Sequence, residues 1–118
     1  MPSKLLQKQW LFATLVSRLL LRAHELGYHV ALGDAYRDPR VFGQLGTLKG
    51  YGHGKSCHKI RLAVDLNLFT PEGEYLASTE AHRLLGEWWE TQHPDCRWGG
   101  RFSTPDGNHY SLTHDGMA

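Results

Sequence analysis

Residues 62–69 read Leu62-Ala63-Val64-Asp65-Leu66-Asn67-Leu68-Phe69, and this stretch decides the fold. Leucine or valine occupies every second position, and the positions between them include one carboxylate and one amide. A period of two predicts a β-strand with one face in the core. The other face is either solvated or lines a cleft, and in a cleft Asp65 would need a cation, a strong donor or a metal.

Shorter strands are expected around this one. Residues 70–74 (Thr-Pro-Glu-Gly-Glu) have turn chemistry, and Tyr75-Leu76 is expected to return antiparallel. Upstream, residues 28–32 are short, β-branched and aromatic, as is typical of a strand. Two final strands are expected at residues 96–98 and 109–112, around a loop rich in glycine and proline.

Two helices accompany the strands. The first is predicted from an N-cap at Ser3 to a terminating Gly27, with one apolar stripe consisting of Leu5, Leu6, Phe12, Leu15, Val16, Leu19, Leu20, Ala23 and Leu26. The second is predicted from Ser78 or Thr79 to about His93, with an apolar face consisting of Ala81, Leu84, Leu85, Trp88 and Trp89. The predicted class is α+β: a small, mostly antiparallel sheet with two main helices in a single domain spanning residues 1–118.

Composition narrows the possible functions. The chain has 118 residues, a formal net charge of +1 and two cysteines, which excludes a disulfide framework and gives no global field for nucleic acid. Polar residues interrupt each apolar stretch, so no bilayer-spanning helix and no secretion signal is expected. We expect a monomer that is made in the cytoplasm and has no stable membrane association.

Charge is distributed unevenly. Residues 1–61 hold ten Lys or Arg and three acids, whereas residues 62–118 hold three Arg and nine acids. Either the two halves interleave and attract each other, or the basic half forms a cleft wall for an anionic substrate.

The histidine content is unusual, because eight histidines outnumber four phenylalanines. His58 precedes the strand that carries Asp65, and His109 lies on a strand distant in sequence, so the three side chains can converge. Two imidazoles, one carboxylate and an open position form a catalytic Zn²⁺ site. Zinc polarises a scissile carbonyl and acidifies water, and a nearby non-ligand carboxylate, for which Asp106 is placed, would be the base. Arg37 could hold a substrate carboxylate or a developing oxyanion.

Residues 56–65 (Ser-Cys-His-Lys-Ile-Arg-Leu-Ala-Val-Asp) resemble a known signature, Ser-x-His-x-x-Gly-x-Ala-x-Asp. That signature belongs to the zinc D-alanyl-D-alanine carboxypeptidase and L-alanyl-D-glutamate endopeptidase family, which cuts peptidoglycan stem peptides. Residues 106–109 (Asp-Gly-Asn-His) are similar to the later acid-x-x-His motif, and Tyr36-Arg37 to the substrate-binding arginine position. The resemblance covers residues 28–112.

The resemblance implies specific roles. His58, Asp65 and His109 would bind one zinc ion, Asp106 would be the base, and Arg37 would stabilise the substrate or transition state. Ser56 and Tyr36 would support the site. Arg61 stands where the signature has glycine, and a glycine there would permit unusual backbone angles.

The resemblance also implies a substrate, the peptidoglycan stem peptide, cut at an L-alanyl-D-glutamate or a D-alanyl-D-alanine bond. The glycine-rich residues 38–55 are expected to decide which bond is cut. We expect a single catalytic core with no appended wall-binding domain. Such a core is most similar to a phage endolysin, which is made in the host cytoplasm and reaches the cell wall only when the membrane is opened. The alternative is a non-catalytic metal-containing binding module of the same fold.

Several other residues have competing interpretations. His53 is a reserve ligand or a loop residue. Cys57 should face away from a metal held by its neighbour His58, because adjacent extended residues point in opposite directions, and its pairing with Cys96 is open. Trp98 and Tyr110 belong to the core or cleft wall, and of the aromatic residues these two are expected near substrate.

Overall fold

The computed structural model describes residues 2–33 and 57–118. Two helices, α1 (Lys4–Glu25) and α2 (Arg83–Glu90), accompany five strands: β1 (His29–Leu32), β2 (Ala63–Phe69), β3 (Tyr75–Leu76), β4 (Cys96–Trp98) and β5 (His109–Leu112). Short 3₁₀ turns cover Cys57–Ile60, Glu80–His82 and Gly99–Arg101. The α+β class is confirmed. Among the described helices, none combines the length and the apolar character that a membrane crossing requires.

The strand β2 lies at the centre of an antiparallel sheet with the order β1-β2-β5-β4, and β3 also pairs with β2. The predicted alternation in burial is found only in the second half of the strand, where Leu66 and Leu68 are fully buried and Asn67 and Phe69 are half-buried. In the first half Ala63, Val64 and Asp65 are all buried, because both faces of the sheet are covered there. The pairing of Val64 with Tyr110, and of Tyr110 with Trp98, places these three side chains on the core face. Asp65 pairs with His109 on the opposite face.

Both helices pack against the core face. The Phe12 ring of α1 and the Trp89 ring of α2 pack edge to face with centroids 6.0 Å apart, and the Trp89 and Tyr110 rings do the same at a centroid distance of 6.3 Å. The ends of α1 are as predicted: Ser3 Oγ accepts the Leu6 N–H, and Gly27 has φ +92°. Among the described elements, both helices therefore lie opposite the face of the sheet that carries Asp65.

The second helical segment differs from its prediction. It begins as the 3₁₀ turn Glu80–His82 and is α-helical only from Arg83 to Glu90. Its buried residues are His82, Leu85, Gly86 and Trp89, and Leu84 lies off that face, 63% exposed. It ends before His93 because Thr91 donates both its N–H and its Oγ1–H to the Trp88 carbonyl. Leu6 of α1 was also expected in the stripe but is 39% exposed.

One described ion pair bears on the uneven charge. Lys8 of the basic half lies 2.9 Å from Asp95 of the acidic half, which fits interleaved halves. The alternative, a basic cleft wall, depends largely on Arg37, Arg40, Lys49 and Lys55, which lie outside the described residues.

Candidate metal centre

Three side chains from three different elements meet on the face of the sheet opposite the two helices. His58 comes from the turn Cys57–Ile60, Asp65 from β2 and His109 from β5, and all three are buried. His58 Nε2 lies 3.1 Å from Asp65 Oδ1 and 3.2 Å from His109 Nδ1, and the third distance, from His109 Nδ1 to Asp65 Oδ1, is 3.5 Å. The convergence expected from the sequence is therefore observed.

Cross-strand pairing brings together two of these groups. Asp65 and His109 are direct partners in the β2–β5 register, so their side chains project from the same face as neighbours. The ladder continues beside them, because the Leu66 N–H donates to the Asn108 carbonyl and the Gly33 N–H donates to the Asp65 carbonyl. The backbone of Asp65 is thus fixed from both sides.

A tight turn returns His58 over the strand. The Leu62 N–H donates to the Cys57 carbonyl and the Arg61 N–H to the His58 carbonyl, the pair of bonds that defines a Schellman motif. In that motif the next-to-last residue takes a left-handed conformation, and Arg61 has φ +59°. This is the position at which the resembled signature has glycine. The chain therefore forms the turn with an arginine, a residue for which the left-handed conformation is unfavourable.

The charge state of Asp65 suits a cation. Burial by itself raises the pKa of the Asp65 carboxyl, but hydrogen bonds to His109 and His58, with their charges, outweigh burial and hold that pKa at about 2. The carboxylate is therefore ionised at neutral pH. Two imidazole nitrogens and one carboxylate oxygen within 4.8 Å of one another fit a divalent ion, and nitrogen and oxygen donors of this kind suit zinc.

Asp106 lies beside these three groups but is not one of them. Its Oδ2 is 3.9 Å from His109 Nδ1, and its side chain is 49% exposed. The His109 N–H donates to the Asp106 carbonyl across the turn that joins them. Asp106 is therefore an exposed carboxylate at the rim of a buried donor set, and its role as a base stays a prediction.

Other residues singled out from the sequence have different outcomes. Arg37, Tyr36, Ser56 and His53 lie outside the described residues, so their assigned roles stay predictions. Cys57 points its Sγ at the Leu112 carbonyl, 3.4 Å away, and burial raises the pKa of its thiol to about 12, so it is not a nucleophile. Both Cys57 and Cys96 are free thiols.

The expectation that Trp98 and Tyr110 would lie near substrate needs correction. Tyr110 is fully buried and its hydroxyl is 2.8 Å from His82 Nδ1, and Trp98 is 4% exposed. The strand register explains this. Tyr110 follows His109 directly in β5 and so points to the opposite, core face, and Trp98 pairs with Tyr110 and shares that face. They can therefore support the site only from the opposite face of the sheet.

Two neighbours of the site were missed in the sequence. The Phe102 ring packs against the His109 ring with centroids 5.3 Å apart, and Gly99 touches the Asp106–His109 turn so closely that a Cβ would overlap the Asp106 carbonyl. The consecutive glycines after Trp98 were a usable signal, because paired glycines often mark a close backbone approach.

Comparison with known proteins adds an independent observation. The sequence model of a family described as D-alanyl-D-alanine carboxypeptidase matches residues 49–112, more than half of the chain. The matched region includes all three buried donors and Asp106. No curated protein matches the chain. The chain therefore belongs to the D-alanyl-D-alanine carboxypeptidase family, a family of peptidases.

Proposed function

We propose that this protein is a zinc peptidase that hydrolyses peptide bonds in peptidoglycan stem peptides. The observation that carries the proposal is the convergence of His58, Asp65 and His109 on one point with an exposed acid, Asp106, beside them. The donor set fits zinc, and the family match supports a peptidase.

The three buried donors would hold the ion through His58 Nε2, His109 Nδ1 and Asp65 Oδ1. When bound, zinc would polarise the scissile carbonyl and acidify the attacking water. Asp106 would take the proton from that water on a carboxylate oxygen and return it to the leaving amine. Asp106 is half-exposed and its Oδ2 lies 3.9 Å from His109 Nδ1, so its carboxylate is beside the donor set and reaches solvent.

Tyr36 and Ser56 are assigned roles by resemblance, and Arg37 is assigned its role by resemblance and by its place before the glycine-rich residues 38–55. We propose that the Arg37 guanidinium holds a substrate carboxylate or stabilises the developing oxyanion, with Tyr36 and Ser56 in support. Replacing Arg37 with Lys should keep the charge but lose the bidentate geometry. A raised KM in Arg37→Lys and a larger loss in Arg37→Ala would support this role, whereas wild-type kinetics in both would refute it.

Digestion of purified muropeptides followed by mass spectrometry tests the function directly. New amino termini at D-glutamate or loss of a terminal D-alanine would report both activity and the bond cut. Chelation should abolish the products and added Zn²⁺ should restore them. Absence of any cleaved product from a protein that binds one zinc per chain would refute the peptidase and favour a metal-containing binding module.

A substitution pair tests Asp106. Asp106→Asn keeps the shape of the side chain but cannot accept the proton, so turnover should fall by about two to four orders of magnitude while zinc stays bound. Asp115→Asn is the matched control, because Asp115 is also an exposed aspartate but its recorded ion pair is with His114, away from the site. Equal activity of the two variants would refute the base assignment.

The biological setting proposed is that of a phage endolysin, made in the cytoplasm and active on the wall. Expression inside intact bacteria should then leave them unlysed until the membrane is permeabilised, and the same protein should clear a peptidoglycan suspension. Lysis without permeabilisation would refute this localisation and leave the peptidase chemistry untouched.

A further inference from the structure

The last residue of β4 and the turn that follows it, Trp98–Phe102, are here called the Trp98 segment. Trp98 lies on the core face of the sheet, opposite the metal donors, yet its indole Nε1–H reaches the Gly107 carbonyl at 2.7 Å. Gly107 is the residue directly after Asp106 and two before His109. A buried tryptophan outside the site therefore holds the peptide that links Asp106, the proposed base, to His109, a proposed metal ligand.

The same segment contacts this turn through its backbone. The Asp106 N–H donates to the Gly99 carbonyl at 2.9 Å, and that carbonyl also accepts the Phe102 N–H at 3.1 Å. A Cβ at Gly99 would overlap the Asp106 carbonyl and would lie 2.8 Å from the His109 Cβ. The turn that carries Asp106 thus rests directly on the bare backbone of Gly99.

The Trp98 indole itself has little freedom to move. Gly86 of α2 and Gly100 of its own segment both lie against the ring, so closely that a Cβ at either position would overlap ring carbons. The Trp98 N–H donates to Glu90 Oε2 at 3.1 Å, which ties its backbone to α2. A donor fixed in this way can fix its acceptor, the Gly107 carbonyl.

His109 and Asp106 differ in how much they depend on this hydrogen bond. His109 belongs to β5 and is registered against Asp65 by the strand ladder, so the sheet holds it. Asp106 precedes the strand. Its N–H donates to the Gly99 carbonyl, its own carbonyl accepts the His109 N–H, and the Trp98 indole holds the next carbonyl, that of Gly107. Loss of the indole donor should therefore displace Asp106 more than it displaces His109.

We propose that Trp98 is a positioning residue, which sets the Asp106 carboxylate relative to the metal donors through the Gly107 carbonyl. This inference rests on the proposed peptidase function. It predicts that removal of the Nε1–H lowers kcat by about 10- to 100-fold, while KM and zinc affinity stay within about threefold of wild type. A merely structural tryptophan would affect all three quantities through stability.

Two variants at position 98 and one control form the test. Trp98→Phe removes the donor and part of the ring, whereas incorporation of 3-benzothienylalanine at position 98 replaces only Nε1–H by sulfur and keeps the ring shape. Trp89→Phe is the matched control, because Trp89 is fully buried and its Nε1 donates to the carbonyls of Arg97 and Ser111 instead. The benzothienyl protein keeps the test valid if Trp98→Phe fails to fold.

The readouts are kcat and KM on a muropeptide, zinc affinity by competition with a chromogenic chelator, and hydrogen exchange of the His109 amide in metal-free protein. That amide is bonded to the Asp106 carbonyl, so its exchange reports whether the turn is closed. We expect lower kcat and faster exchange in the benzothienyl protein and wild-type values in Trp89→Phe. Unchanged exchange, or parallel loss of kcat and zinc affinity, would overturn the inference.

Failure of the proposed function gives a different result. If wild-type protein cleaves no muropeptide, the peptidase proposal fails, and the exchange measurement still decides whether Trp98 holds the turn. If wild-type protein is active and the benzothienyl protein has the same kcat, the peptidase stands and the positioning role is refuted.

Discussion

Arg61 offers a stability test of the turn that brings His58 to the site. The residue has φ +59°, a left-handed conformation, and ends the Schellman motif over Cys57–Leu62. Two substitutions separate the backbone from the side chain: Arg61→Gly and Arg61→Ala both remove the guanidinium group and every contact that it makes. The difference between them therefore isolates the cost of a Cβ in the left-handed region.

The size of that difference follows from two opposing terms. A residue with a Cβ in this conformation costs about 1–2 kcal/mol relative to its right-handed state. Glycine avoids this cost but loses about 0.5–1 kcal/mol more than alanine in backbone entropy on folding. The free energy of unfolding of Arg61→Gly should thus exceed that of Arg61→Ala by roughly 0.5–1 kcal/mol, or a few degrees in Tm.

Urea denaturation of metal-free protein, followed by circular dichroism, measures this difference under two-state analysis. The control is Ala13→Gly, at an exposed right-handed position in α1, where glycine should destabilise by about 1 kcal/mol. Glycine is therefore expected to stabilise at one site and to destabilise at the other. An Arg61→Ala protein as stable as Arg61→Gly, or more so, would show that position 61 is not held left-handed and would refute this description of the turn.

Three further predictions concern the core and the donors. Burial lowers the pKa of His82 to about 4. Between about pH 6.5 and pH 4 the unfolded chain therefore binds more protons than the native one. The free energy of unfolding should fall as the pH decreases through this range, by at most about 3 kcal/mol. Urea midpoints at several pH values in wild type and His82→Gln measure this slope, and equal slopes would contradict it. Zinc at 1,000 times its Kd should stabilise the wild type by about 4 kcal/mol but not Asp65→Asn, as read from Tm with and without the ion, and an equal Tm rise in both would remove Asp65 from the ligand set. Gly86→Ala should destabilise the protein by roughly 1–3 kcal/mol despite the better helix propensity of alanine, because its Cβ would overlap the Trp98 ring. An unchanged or higher urea midpoint would show that the ring moves freely.

Much of the fold could be predicted because local patterns and tertiary packing agree. The alternation along β2 gave both the strand and its buried face, and the capping residues of α1 gave both its ends, Ser3 and Gly27. The second helix was less predictable. Its buried face includes a histidine and a glycine, His82 and Gly86, so the apolar residues alone did not locate that face and Leu84 was assigned to the wrong side.

The metal donors could be predicted from the sequence, but the residues that position Asp106 could not. His58, Asp65 and His109 were found because strand phase and motif spacing restrict which histidines can share a face with a carboxylate. Trp98 was expected near substrate because residue type does not distinguish an aromatic side chain in a cleft wall from one in the core, and only the β4–β5 register does so. The hydrogen bond from Trp98 to Gly107 links positions nine residues apart across a turn, and no periodicity encodes such a contact.

The donors and the base are held by different means, and this difference bears on how the site can change. The sheet fixes Asp65 and His109 as cross-strand partners, and disturbing them would disturb the core face at Val64 and Tyr110. His58 depends on one left-handed residue, and Asp106 on the Gly99 carbonyl and one indole N–H. Substitutions outside the sheet can therefore alter turnover while the metal donors stay in place. The family chemistry should accordingly be lost first at Asp106, which would leave a metal-binding domain without hydrolysis.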